Sequence, residues 1–314
     1  MSDETLDGRP AAHARGETRR AHFALVGGLC AVVVGFYFWS AKSGALELAG
    51  SGARDTYYNL LVQGFRAGQL NLPAEAPSGL AQLADPYDPV ANAPYRLAEG
   101  GALGEMSYYH GKLYLYFGAT PALLLFWPWH ELTGHFLLHR QAVVIFFAVG
   151  FLLSAGLFGA LWRRYFPQVG IGPVAAGMLV LGLANFTPAI LQRCDVYEVA
   201  ISCGYALTMV TLLLLWRSMH AARGRAGWLA GASLACGLAV GARPSLVLGA
   251  VILLVPVVRV CASDRALIGV IRDPEEDLLR TDAWLEKAAH WVLAVMGATP
   301  ETIRRILERE LPPA

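Results

Sequence analysis

The sequence predicts a mostly α-helical, polytopic membrane protein with about six transmembrane helices and a structured first extracytoplasmic loop. Three observations lead there. Hydrophobic residues make up 55% of the 314 and charged residues only 16%, with mean hydropathy +0.44; a soluble domain carries about 25% charged residues. Apolar windows of the length needed to cross a hydrocarbon layer recur along the chain. Basic residues gather between alternate windows, as cytoplasmic loops require.

Residues 1–22 are polar and rich in arginine, and form a cytoplasmic N-terminal segment. The first span, 23–40, closes on Tyr37, Phe38 and Trp39, an interfacial aromatic belt that marks a retained span rather than a cleaved signal. The external loop covers 41–141, and loops of that length are usually functional. Within it, 55–68 is expected to be an amphipathic helix, with Leu60, Leu61 and Phe65 at helical spacing among Arg54, Asp55, Asn59 and Arg66. The prolines of "LADPYDPVANAPYR" suit an ordered, extended crossing. "MSYYHGKLYLYFG" alternates about His110-Gly111 and reads as a hairpin. Residues 117–132 carry Pro121 and Pro128 and run into His130 and Glu131, which suits an interfacial helix.

Five further spans follow at about 142–162, 173–192, 197–216, 227–242 and 244–261, the fifth of the six being rich in small residues. With 117–132 in the interface and Arg9, Arg15, Arg19 and Arg20 inside, the clusters Arg163/Arg164 and Arg217/Arg223/Arg225 also fall inside. Were 117–132 to cross, both clusters would face outward, against the positive-inside rule. Residues 23–261 therefore form the membrane domain of an inner (plasma) membrane protein with both termini cytoplasmic. Residues 262–314 form a cytoplasmic helical tail, with Asp273, Pro274 and Glu276 starting one helix and Gly297 ending it.

Several chemistries find no footing. A net charge of +1 gives no reason to expect nucleic acid as a partner. Five cysteines, mostly in apolar stretches, indicate neither a disulfide framework nor a zinc site. His130 and His135 of "HELTGH" are five apart, about 140° round a helix, so they do not form a metal pair. No metal site and no cofactor are expected, and a divalent cation is not indicated. "VGIGPVAAG" has the wrong spacing for a dinucleotide loop.

Polar residues of three segments are expected to converge on the outer face: Arg54-Asp55-Thr56-Tyr57-Tyr58, then "LQRCDVYE" with Arg193, Asp195 and Glu198, then "GLAVGARPS" with Arg243. Charges near a span sit at its ends or in cavities, because one at a span centre costs about 2.5–3.5 kcal/mol. In order, these segments, together with "YLYFGATPALLLFWPW" and "LWRRYF", resemble the GT-C class of membrane glycosyltransferases, the branch of the protein O-mannosyltransferases and lipid A aminoarabinose transferases. The resemblance covers 23–261, stops short of the family's usual number of spans, and so suggests a shortened member. Relatives often carry paired acids where Asp55 is followed by Thr56, so if a second carboxylate is needed it must come from Asp195, Glu198, Asp85 or Asp88.

The resemblance implies transfer of a sugar from a polyprenyl-phosphate donor to an acceptor on the extracytoplasmic face. Asp55 is the candidate base that takes the acceptor proton. Arg193 and Arg243, with Lys112 behind them, are the candidates for the leaving phosphate, whose charge rises as its bond breaks. Tyr57, Tyr58, Tyr108 and Tyr109 are candidates to stack on the sugar, while membrane lipid surrounds the donor tail. The rival readings are a non-catalytic scaffold or inactive homologue, and a transporter, which would want ionisable residues in mid-span.

Overall fold

In a computed structural model the chain is described over residues 9–43, 52–97, 105–221, 223–256 and 258. The expected C-terminal tail, 262–314, lies outside these residues. The described part is mostly helical. Four of its segments are long and apolar enough to cross a membrane: Ala21–Lys42, His139–Tyr165, Ile171–Ile190 and Val196–His220. The first belongs to α1 (Arg9–Ser43), the second is α5 and the fourth is α8.

The third segment is broken. Helix α6 (Ile171–Leu183) stops, and α7 (Thr187–Ile190) restarts after a three-residue kink. Asn185 makes the break: its side-chain amide donates to the Leu181 carbonyl at 2.7 Å, and its Oδ1 accepts the Thr187 N–H at 3.0 Å. Pro188 then begins the new turn. A kink leaves a carbonyl without its helical donor, and the Tyr37 hydroxyl donates to that of Gly182 at 2.7 Å.

The two remaining expected spans, 227–242 and 244–261, fall on a ninth helix and on the segment that follows it. Helix α9 (Arg225–Ala242) has 18 residues, about 27 Å of rise, and packs along α8. Beyond it, Pro244–Leu253 winds as a 3-10 helix of 10 residues, about 20 Å long. Among the described residues four segments therefore have both the length and the apolarity of a span, while the last expected span, 244–261, runs on into residues 259–261, outside the description.

Ring contacts fix the helix directions. His22 lies 6.4 Å from Trp162 and Tyr37 lies 6.0 Å from Phe151, so α1 runs against α5. His139 meets Asp195, Phe147 meets Tyr205 and Tyr165 meets Trp216, so α5 and α8 run together. Arg217 sits 5.8 Å over the Trp228 ring, while the Arg243 Cβ approaches Gly204, so α9 runs back along α8. One end of the helices therefore holds Arg163, Arg164, Arg217 and Arg225. The other holds the first loop, the 184–195 joint and the Arg243 turn.

The loop is folded onto that second end. Thr56 begins α2 (Tyr57–Arg66), whose amphipathic face packs under the polar end of the bundle. The chain then doubles back, and a Cβ at Gly64 would press on the Asn71 carbonyl oxygen. Between Asp85 and Asn92 the expected extended crossing is instead a series of turns: Asp85 Oδ1 accepts the Tyr87 N–H and Asp88 Oδ1 the Val90 N–H, each at 2.8 Å. A short α3 (Ala93–Leu97) follows. Strands β1 (Met106–Tyr109) and β2 (Lys112–Leu115) pair antiparallel, Tyr109 opposite Lys112. His110 and Gly111 have φ of 47° and 77°, the two left-handed residues of a type I′ turn.

The interfacial segment is helical from Thr120, with a π-helical stretch at Ala122–Phe126 leading into α4 (Trp127–Thr133). Arg66 at the end of α2 ties it down, donating to His130 Nε2 at 2.7 Å and pairing with Glu131 at 3.2 Å. At its start, Gly118 packs so closely on α9 that a Cβ would overlap the Gly241 carbonyl oxygen. Backbone cannot yield there as a side-chain tip does. Gly118→Ala is expected to lower stability by about 1–3 kcal/mol, read as a lower apparent unfolding temperature in detergent. Gly27→Ala, in open space on α1, should leave that temperature nearly unchanged.

Candidate functional site

The polar end is organised by the start of α8. Asp195 caps the helix: its Oδ1 accepts the Val196 N–H at 2.7 Å, and Glu198 Oε2 accepts the Asp195 N–H at 3.1 Å. This reciprocal box places two carboxylates against the positive end of the helix dipole. Arg193 Nε stands 3.9 Å from Glu198 Oε1, its side chain 65% exposed. The His139 imidazole beside Asp195, followed by the Val196 N–H, holds that carboxyl below the usual carboxylate range.

A group whose value is depressed on folding stabilises the fold above its unfolded value, here 3.8, and loses that contribution as pH falls through the folded value. Asp195→Ala removes the cap and is expected to lower stability by about 1 kcal/mol at neutral pH. The gap between variant and wild-type unfolding temperatures should narrow as pH drops through the acid range below 3.8.

Three elements converge on this box. From α5 comes His139, 4% exposed, with Nδ1 3.9 Å from Asp195 Oδ1 and Nε2 buried without a hydrogen-bond partner. From α2 comes Tyr57, its ring nearly parallel to that of His139 at 7° and 6.5 Å, its hydroxyl accepting the Glu105 N–H at 3.4 Å. Burial pushes the Tyr57 phenol above its ordinary value. From the base of the hairpin comes Glu105, which pairs through its side chain with Tyr197 of α8. Asn59 fastens the assembly, donating to the carbonyls of Ala53 at 2.7 Å and Leu137 at 2.8 Å.

The expected site residues are distributed as follows. Asp55 is exposed on the 3-10 turn Ala53–Asp55, which Asn59 holds beside the start of α5. Asp195, Glu198, Arg193 and Tyr57 lie in the capping cluster itself. Arg243 ends α9, with its Cβ against Gly204, the ninth residue of α8, so it sits about 12 Å along α8 from the cap. A chain of packed groups joins the two: Tyr197 abuts Phe117 at 4.5 Å, and Gly118 lies on Gly241 and Ala242. Lys112 is exposed beside the hairpin turn, and Tyr109 is exposed next to it. Asp85 and Asp88 serve their own turns.

Tyr58 differs from its expected role. It is fully buried, stacked on Phe126 at 5.2 Å and edge-on to His139, with no surface left to meet a sugar. Sequence reasoning missed His139, Glu105 and Tyr197. His139 stands just ahead of an apolar window, where a span end is normally wet, and only burial reveals it. Between the far end of α2 and the 117–132 segment runs an apolar groove of about 480 Å³ lined by Phe65, Leu70, Ala119, Leu123 and Trp127. Among the described residues no three His, Cys, Asp or Glu side chains group as metal ligands do.

Comparison of the chain with protein-family models, with curated proteins and with solved structures gives no match to any of them.

Proposed function

We propose that the chain is a membrane glycosyltransferase that moves a sugar from a polyprenyl-phosphate donor to an acceptor on the extracytoplasmic face. One observation carries the reading: the segment Gly118–Thr120 lies between the Arg243 turn and the apolar groove, at the same end of the helices as Asp55 and the Asp195–Glu198 box. A lipid phosphate needs that pairing of a cation with an adjoining apolar channel. In this reading the prenyl tail follows the groove, and Arg243 with Arg193 meets the phosphate through bidentate guanidinium contacts. Asp55, exposed and unencumbered by the cap, takes the acceptor proton as the hydroxyl attacks the anomeric carbon. Direct displacement inverts that carbon. No metal enters this scheme.

The test is reconstitution of the full chain in lipid vesicles with polyprenyl-phosphate-linked sugars as probes. Release of polyprenyl phosphate, with transfer to an acceptor or to water, is the expected result. Failure to consume any of a broad donor panel would overturn the reading. A scaffold is the second reading, favoured by the fact that Asp195 and Glu198 already have a structural task as a capping box. A scaffold is indifferent to Asp55→Asn; the enzyme is not.

A further inference from the structure

We propose that His139 is a positioning residue for Asp195: an imidazole, clamped between Tyr57 and the Tyr58–Phe126 pair, that aims its Nδ1–H at one carboxylate oxygen. As a part of sugar transfer this rests on the reading above. As geometry it does not.

The argument begins with burial. An imidazole that is 4% exposed at the end of a span must place both nitrogens. Nε2 is buried with no partner, and the imidazole ring meets those of Tyr58 and Phe126 edge-on, each at 5.9 Å between centroids. A proton there would be an N–H without an acceptor, a desolvated donor costing about 1–3 kcal/mol. Nδ1 instead faces Asp195 Oδ1 at 3.9 Å, a separation that a small rotation of either side chain closes to a hydrogen bond. The geometry thus favours the N–H on Nδ1, toward Asp195.

The surroundings agree. The charged and titratable groups about the ring are Asp195, Arg193 and Glu198 from the α8 start, Tyr57 and Tyr58 from α2, Glu105 through the Tyr57 hydroxyl, and Arg140 next in α5. Asp195 Oδ1 already accepts the Val196 N–H and the capping box adds the Glu198 N–H, so the imidazole brings a donor from a different element to a carboxylate held by its own helix. The Asp195 side chain remains 34% exposed. Because Tyr57 and Tyr58 also hold the ring, docking of α2 and orientation of Asp195 are one event.

The test uses the full chain in lipid nanodiscs, labelled with ¹³C at the aspartate carboxyl, with Asp195→Asn identifying the resonance. Wild-type Asp195 should titrate below the ordinary aspartate range. His139→Asn places an amide N–H where Nδ1 stood and should keep the low midpoint; His139→Leu should raise it. If the leucine variant does not fold, His139→Gln takes its place: its amide reaches the Nε2 position, so the midpoint should rise. Equal midpoints for the asparagine variant and for the leucine or glutamine variant overturn the proposal. The measurement needs no donor, so its failure is separate from failure of the transferase reading.

Discussion

Asp55→Asn is expected to reduce sugar transfer by about 10²–10⁴-fold, the usual contribution of a positioned base, while donor-lipid binding stays at the wild-type level. The substitution is nearly isosteric, and the structure gives it nothing to break. Asp55 is exposed, and its backbone N–H donates to the Gly52 carbonyl at 3.0 Å whatever its side chain. Thr56 and Asn59 hold the turn independently, through the Ala53 carbonyl. Unfolding temperature should therefore not move, and loss of turnover would be chemical rather than structural. Unchanged turnover in a folded variant would remove Asp55 from the mechanism.

The second large effect is expected at Arg243. Arg243→Gln should lower kcat/KM for the donor by about 10²–10³-fold, as removal of a preorganised charge-stabilising donor does elsewhere. Arg243→Lys should recover only part of it, because an ammonium keeps the charge and loses the fork. The residue's structural task is performed by backbone: its N–H donates to the Ala239 carbonyl and its own carbonyl accepts from Leu246 N–H, each at 3.0 Å. Glutamine keeps both bonds. Full recovery with lysine would mean that the site reads charge alone, and no loss with glutamine would take the phosphate away from this turn.

Much of the frame was legible because length and apolarity are local properties. The segments about α1, α5 and α8 declared themselves as windows, and His110-Gly111 announced the one turn geometry that needs two left-handed residues. What the windows could not carry was helix type and continuity. The apolar run at 173–192 averages over the Asn185 kink, since one amide capping its own backbone barely changes mean hydropathy. Pro244–Leu253 is as apolar as a span, yet it winds as a 3-10 helix. The site shows the same division. Acids and arginines at the joints could be named from sequence, whereas His139 becomes visible only when α2 covers it. Tyr58 and Tyr57 are adjacent in sequence and opposite in fate, because α2 turns one ring into the core and leaves the other half-buried at its edge.

Side-specific labelling of single cysteines tests the central claim that the Asp55 loop and the Arg193 joint work on one membrane face. Cys194, Cys203 and Cys236 are buried, and the half-buried Cys30 together with Cys261 is first replaced by serine to keep background labelling low. In intact cells, an impermeant maleimide should reach Arg54→Cys and Arg193→Cys, and should reach Arg164→Cys and Arg225→Cys only after permeabilisation. Labelling of positions 54 and 193 from opposite sides would contradict the account.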